Sequence, residues 1–472
     1  MNYDLENFER KDRTDELMGI YAPKLGYNKD QIDFIKDVMD TVKSVMEKHN
    51  VRNKAIEWDH IGSRLIDGKV IPPPGFEDVL FELIRDNEII RTFIPEKHGG
   101  FGFSGYMTAP ITEVTNYYSQ PMGMMAYFAL TVLEPLYKFY RPEYDEIIER
   151  FAVGKNIGYG AFTEAHAGSN LKSINSTSEL VGDEYVLNGT KIFITNGGYA
   201  NAGLFLAKNM VNGKDEGTNV FLVEGLEGIT TLRLEEKSGI HASPTAQLHF
   251  NNVTVPKENL LGEAGNGYHK VIERLLGMRM SVAVQASAAA KRAYDEALVY
   301  AQTREQFNRP IINFPDIQKK LTIIKTQIER LEDFAHGGYY ALERFHKGLF
   351  PSDQYGSDSQ FPDELHEGLI HHYISGAKIY SSEVVNFLMY DAAQIFGGMG
   401  FISETIVNKL TRDVRILSIY DGTSEIQKWI LSRSKKAIDH LPNFQSPYSK
   451  YQDSTIYEEM LFLRFPELRE LI

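Results

Sequence analysis

Apolar residues recur at helical spacing through the first third of the chain. Ile32, Phe34, Ile35, Val38, Met39 and Val42 form one such set, and Val79, Leu80, Leu83 and Ile84 another, so the region 31–155 is predicted to be helical. The stretch from His60 to Pro74, with Pro72-Pro73-Pro74, cannot continue a helix because proline lacks the N–H and clashes with the preceding turn. The most apolar uncharged run, Met122 to Leu133, stops at Glu134; it is too short to cross a bilayer and reads as a buried helix. From about Gly158 the period changes to alternation, as in Glu184-Tyr185-Val186-Leu187 and Lys191-Ile192-Phe193-Ile194-Thr195, with turn signals at Asn188-Gly189 and Asn196-Gly197. Further strands are predicted over 219–223, 230–234 and 246–255.

After Tyr268 the helical period returns. Ser281 to Ala301 carries alanine at 283, 286, 288, 289, 290, 293, 297 and 301, which favours helix and lets neighbouring helices approach closely. A polar interval, Lys347 to Glu367, reads as an exposed loop. Beyond Pro442 a short apolar helix candidate, Ile456 to Phe465, is stopped by Pro466. The expected organisation is mainly α with a middle β-domain: an extension over 1–30, a helical domain over 31–155, a β-domain over 156–268, a helical bundle over 269–441 and a second extension over 442–472.

Composition narrows the function classes. A chain of 472 residues, 43% hydrophobic and 24% charged, is ample for two or three packed domains. No cysteine is present, which excludes disulfides, thiolate catalysis and cysteine-held metal. With a net charge of −14 and scattered lysines and arginines, a nucleic-acid surface is not expected. The opening segment mixes both charges and has no apolar core of the secretory kind, so a cytoplasmic protein without a membrane span is expected. His371 and His372 are adjacent and diverge on a helix, so no metal site is expected there.

Chemistry concentrates near the end of the bundle. Tyr420-Asp421-Gly422-Thr423-Ser424 is a turn sequence, and Ile426, Trp429 and Ile430 then recur at helical spacing. Asp421 therefore stands at a helix start, where a capping or turn-forming role is the ordinary one. A proton-accepting role needs support from elsewhere in the chain.

That support comes from a set of motifs: Gly158 to Asn170 (GYGAFTEAHAGSN), Tyr185 to Asn201 (YVLNGTKIFITNGGYAN), Lys237 to Gly267, Thr303 to Ile311 (TREQFNRPI) and Asp391 to Arg433. In this order and spacing they resemble the acyl-CoA dehydrogenase family over roughly residues 30 to 440. The resemblance implies an N-terminal helical domain, a middle β-barrel and a C-terminal four-helix bundle. It also implies FAD held between β-domain and bundle, an acyl-CoA substrate, an electron-transferring flavoprotein as acceptor, and a homotetramer or homodimer.

Residue by residue, the resemblance places Thr163 and Ser169 at the flavin and the substrate thioester. Phe193 and Thr195 fall at the isoalloxazine, with Phe193 in place of the more usual Trp. Simple strand alternation is the ordinary reading of Phe193. Arg304, Phe307, Gln394 and Gly398 fall at the FAD diphosphate and adenosine, usually reached from a neighbouring subunit, and a guanidinium fork suits a diphosphate. Thr423 and Glu425 fall at further FAD contacts. Tyr420 and Gly422 flank the substrate, and Asp421 takes the place of the catalytic base.

The family pattern IYEGT reads IYDGT in this chain. The shorter side chain retracts the carboxylate by roughly 1.5 Å, and a misplacement of about 1 Å can cost on the order of a hundredfold in rate. Either the turn moves inward, or the substrate differs, or the base lies elsewhere. Some relatives carry the base just before the arginine matched by Arg279, but Met278 occupies that place here; Glu273 is the reserve. An aspartate also occurs in relatives acting on cyclic acyl-CoA and in nitroalkane oxidases, and both readings stay open. DNA-binding relatives carry a basic C-terminal region, whereas 453–472 is mixed to acidic.

Overall fold

A computed structural model describes residue 8, residues 10–347 and residues 363–439. The helix candidate Ile456 to Phe465, most of the polar interval after Lys347 and the side chain of Glu273 lie outside the described residues.

Helices α1 (Thr14–Tyr21), α2 (Lys29–Lys48) and α3 (Val51–Ile61) open the described chain. A hairpin of β1 (Arg64–Ile66) and β2 (Lys69–Ile71) comes next, then α4 (Phe76–Phe81), α5 (Gly105–Tyr118), α6 (Gln120–Tyr127), α7 (Leu130–Lys138) and α8 (Asp145–Ala152). Seven strands follow: β3 (Gly158–Ala161), β4 (Thr177–Val181), β5 (Glu184–Thr195), β6 (Ala202–Val211), β7 (Lys214–Glu224), β8 (Ile229–Leu234) and β9 (Thr245–Pro256). The long helix α9 (Gly267–Thr303) leads to the short pair β10 (Glu305–Gln306) and β11 (Arg309–Pro310). Helices α10 (Pro315–His346), α11 (Asp363–Phe396), α12 (Gly398–Phe401), α13 (Ile406–Asp413) and α14 (Ser424–Asp439) complete it. The chain divides into two compact units, one from Met1–Asp40, Ser104–Tyr118 and Leu276–Ile472, the other from Thr41–Phe103 and Ser119–Leu275.

The first unit is helical. Every alanine of the α9 series is buried, which is why α9 can sit deep among its neighbours. Helix α11 packs on α10, α13 and α14, and Phe334 of α10 stacks on Tyr380 of α11 with ring centroids 4.0 Å apart. Gly400 in α12 is required by a close approach: a Cβ there would stand 2.2 Å from the carbonyl oxygen of Ala393. Arg10 pairs with Asp295 at 3.1 Å and Arg13 with Asp333 at 3.2 Å, tying the start of the chain to α9 and α10. Inside, Lys291 lies 2.9 Å from Glu113 and 2.7 Å from Glu332.

The second unit is built on a seven-stranded sheet in the order β3-β6-β4-β5-β9-β8, with β7 on the other side of β6. Strands β3 and β4 pair with β6 in parallel, one after the other, while β5 and β9 form a long antiparallel pair from Glu184↔Pro256 to Thr195↔Thr245. Phe205, Phe221 and Phe250 fill its core.

The structure differs locally from the reading of the sequence in several places. The interruption after His60 contains the β1–β2 hairpin, turned by Asp67 (φ 49°) and Gly68 (φ 76°), a two-residue turn with both φ positive. The run Met122 to Leu133 is buried as expected but divides into α6 and α7 at Phe128-Ala129. Strand β6 was not anticipated, because its residues are buried almost without interruption and show no alternation.

Candidate active site

In the helical unit, Asp421 and Gly422 form a left-handed turn with φ 54° and 93°. An aspartate tolerates this conformation better than most side chains. At Gly422 a Cβ would approach Gln427 Nε2 to 2.5 Å. Helix α14 is capped by Thr423 rather than by Asp421: Ile426 N–H donates to Thr423 Oγ1 at 3.4 Å. The acid expected at a helix start is thus set two residues ahead of the cap.

The backbone of this turn is gripped from three elements. Arg279 of α9 donates from Nε to the Asp421 carbonyl at 3.4 Å. Gln427 of α14 donates from Nε2 to the carbonyls of Asp421 (3.2 Å) and Gly422 (3.0 Å). Lys378 of α11, fully buried, donates from Nζ to the Gly422 carbonyl at 2.8 Å. Burial pushes the Lys378 ammonium down to about 8, against the opposing pull of Asp421 and Glu383. On the same helix, burial first and Arg279 second push His371 down to about 4. One residue earlier, Tyr420 donates its hydroxyl to Gln285 Oε1 at 2.6 Å, and Gln285 donates to Ser281 Oγ at 3.2 Å. Ser424 donates to the Glu383 carboxylate, anchoring the first turn of α14. Thr423 is half-buried and Glu425 exposed.

In the β unit, Thr163 and Phe193 are brought to adjoining backbone, since Ile192 N–H donates to the Thr163 carbonyl at 2.9 Å. The pairing of β5 with β9 is irregular between Lys191 and Ile194. Within that bulge Phe193 adopts φ 60° and is 60% exposed, so it is not an ordinary alternating strand residue. A bulky side chain in this conformation is strained and exposed at once, a combination that clusters at ligand sites. Thr195 is half-buried and pairs with Thr245. Ser169 is exposed beyond the Glu164–Ala167 turn. Beneath them, Lys191 donates to the Phe162 carbonyl at 3.1 Å and the Glu164 carboxylate at 2.8 Å. Glu164 also accepts from the N–H groups of Asn175 and Ser176.

The remaining candidates stand at the other end of the helical unit. Arg304 is exposed just past α9, and Phe307, 86% exposed, forms with Asn308 a left-handed turn at φ 54° and 58°. Gln394 and Gly398 are exposed at the end of α11 and the start of α12. Tyr300 stacks on Phe396 at 4.3 Å, which holds these two groups at one end. From Arg279 to Thr303, α9 advances roughly 36 Å at about 1.5 Å per residue, so this group is remote from Asp421 within one chain.

Sequence reasoning missed Lys378, Gln427, Gln285, Lys191 and Glu164. The signal for Lys378 was present: one lysine in the otherwise apolar and small run from Tyr373 to Ser382. His241 holds Asp59 at 3.1 Å and the Lys237 carbonyl at 2.7 Å. Among the described residues no group of three metal-ligating side chains occurs, and no helix is long and apolar enough to cross a membrane.

A helical unit with a carboxylate-bearing turn, joined in sequence to a curled sheet bearing a strained exposed aromatic, defines an acyl-CoA dehydrogenase-like fold. Family models described as the acyl-CoA dehydrogenase middle domain and C-terminal domain match residues 160–253 and 265–435. An acyl-CoA dehydrogenase of Bacillus subtilis is 33% identical over 344 residues, 72% of this chain and 85% of that one. Among solved structures, butyryl-CoA dehydrogenase from Megasphaera elsdenii superposes with a TM-score of 0.72 at 27% identity, covering 86% of this chain and 98% of that one. A chain from a structure described as the electron transferring flavoprotein of Acidaminococcus fermentans gives 0.71 at 26%, covering 87% and 98%. This chain belongs to the acyl-CoA dehydrogenase family, whose members are flavoprotein oxidoreductases of fatty acid metabolism.

Proposed function

We propose that the chain catalyses α,β-dehydrogenation of an acyl-CoA thioester with FAD as cofactor and Asp421 as the base. The observation that carries this reading is the Asp421-Gly422 turn, whose carbonyls are held by Arg279, Lys378 and Gln427. A carboxylate on so constrained a backbone has the fixed position that abstraction of a weakly acidic α-proton requires.

The residues present fit a flavin. Phe193 offers an exposed phenyl face at φ 60°, with Thr163 and Thr195 beside it in the chain's own bonding pattern. Arg304 supplies a permanent charge for the diphosphate, and Phe307, Gln394 and Gly398 are exposed as well. The resemblance adds Thr423 and Glu425 as FAD contacts and gives Ser169 to both flavin and thioester. When bound, FAD would accept the hydride leaving the β-carbon. Asp421 removes the proton from the α-carbon and holds it on its carboxyl, and the backbone N–H of Asp421 stabilises the thioester oxygen. Tyr420 and Gly422 line the acyl group.

The remoteness of Arg304 from Asp421 along α9 supports a homodimer or homotetramer in which a second copy supplies the Arg304 group. An electron-transferring flavoprotein is the proposed acceptor, supported by the likeness to the Acidaminococcus structure. A cytoplasmic location belongs to the same proposal and is tested by cell fractionation.

Because Asp replaces Glu, cyclic acyl-CoA and nitroalkanes are tested beside linear thioesters. In anaerobic titration, bleaching of the flavin by butyryl-CoA or by a cyclic acyl-CoA is the expected result. Turnover of nitroalkanes with oxygen and no bleaching by any thioester would overturn it. Asp421→Asn is expected to keep FAD and lose reduction by substrate; persistent reduction moves the base elsewhere.

A further inference from the structure

Helix α11 carries one lysine deep in its packed face. Lys378 is 0% exposed, between Ile374, Ala377, Ile379 and Tyr380, which are buried as well. An ammonium in such a place costs several kcal/mol unless it is paired and hydrogen-bonded. Its hydrogen bond goes to the Gly422 carbonyl, one residue beyond Asp421. The charged groups acting on it are Asp421 and Glu425 from the turn and α14, Glu383 from its own helix and Arg279 from α9. It therefore stands behind the turn as both a donor and a charge.

The consequences for the turn follow from peptide geometry. A trans, planar peptide directs its C=O and the following N–H to opposite sides. With the carbonyls of Asp421 and Gly422 drawn to Arg279, Gln427 and Lys378, the N–H groups of Gly422 and Thr423 are turned away from those donors. The hydrogen bonds thus set the orientation of the whole turn, including the Cα that bears the Asp421 side chain. The positive charge of Lys378 also favours the ionised form of a nearby carboxylate.

We infer that Lys378 is a positioning residue for the Asp421 base, fixing the left-handed turn through the Gly422 carbonyl and keeping the Asp421 carboxylate ionised through its charge. This inference rests on the reading of Asp421 as the base.

The test compares Lys378→Met, Lys378→Gln and Lys378→Arg in the FAD-loaded full chain, by stopped-flow anaerobic reduction with butyryl-CoA between pH 5.5 and 9. Lys378→Met is expected to keep its flavin and slow reduction by about 10- to 100-fold, with the half-saturating substrate concentration changing much less. Its acid limb should move up, because the charge that favours the ionised carboxylate is gone. Lys378→Gln, which can still donate to the carbonyl, should recover part of the rate while keeping the shifted limb; Lys378→Arg should restore the limb. Loss of FAD by Lys378→Met alone leaves the Gln and Arg comparison to decide. A wild-type rate and limb in Lys378→Met, or equal slowing of all three variants without any shift, would overturn the inference. Asp421→Asn, run beside them, separates the two failures: if it is still reduced, the base assignment falls; if it is inert while Lys378→Met behaves as wild type, only the role of Lys378 falls.

Discussion

The ammonium of Lys191 lies 2.8 Å from the Glu164 carboxylate, with both side chains inside the β unit. Burial lowers Lys191 to about 8, partly offset by Glu164. Burial also opposes the charged form of Glu164, but Lys191 and the hydrogen bonds from Ser176 and Asn175 hold its carboxyl below the ordinary value. Through the Phe162 carbonyl and Glu164 this pair brackets Thr163 on either side. Removing one partner strands the other charge, so Lys191→Met is expected to destabilise the protein by about 3–5 kcal/mol. The double variant Lys191→Met/Glu164→Gln should be less destabilised than the sum of the two single changes, as read by urea unfolding.

Histidine titration gives two opposed pH effects. The hydrogen bond with Asp59 is the main influence raising His241 above its ordinary value, with burial opposing it. The stability it contributes is therefore fully present below about 6.5 and is lost as pH rises through the raised value. His241→Gln should remove this loss from the unfolding free energy measured between pH 6 and 8.

His336 behaves in the opposite sense, because burial lowers it to about 4. The unfolded chain takes up the proton first, so stability falls as pH drops from about 6.5 toward 4. Replacing His336 by Gln should flatten this part of the profile, whatever its effect on stability at neutral pH.

Phe193 stores strain at φ 60°. Phe193→Gly removes the clash between Cβ and backbone that makes this conformation costly, by roughly 1–2 kcal/mol, against a glycine entropy cost of roughly 0.5–1 kcal/mol. The apoprotein is expected to be as stable as the parent or slightly more so, while FAD dissociates more readily. Thermal unfolding of apoprotein and flavin retention on gel filtration measure the two sides.

Gly422→Ala would strain a residue at φ 93° and bring a Cβ against Gln427. A cost of about 1–3 kcal/mol is expected, with loss of substrate reduction greater than loss of bound FAD. Equal reduction rates in parent and variant would show that the turn tolerates displacement.

Much of the molecule was legible locally. The change from a helical to an alternating period located β5, β7, β8 and β9, and the alanine series marked the buried face of α9. Asp67-Gly68 in the β1–β2 hairpin was equally local in its chemistry, yet it lay within a stretch read only as an interruption. Strand β6 had no readable pattern because it is covered on both faces.

By itself the sequence determined the helical, β, helical order, the family, and a turn at Asp421-Gly422, since period and turn chemistry depend on neighbours a few residues away. Tertiary structure alone decided what grips that turn. Arg279 and Lys378 stand 142 and 44 positions from the carbonyls they bind, and only Gln427 is near in sequence. Periodicity reports that a side chain is buried, but not which distant backbone its charge meets. Likewise, Arg304 and Gln394 share an end of the bundle remote from Asp421 because α9 is a long, continuous rod, a distance that motif spacing does not contain.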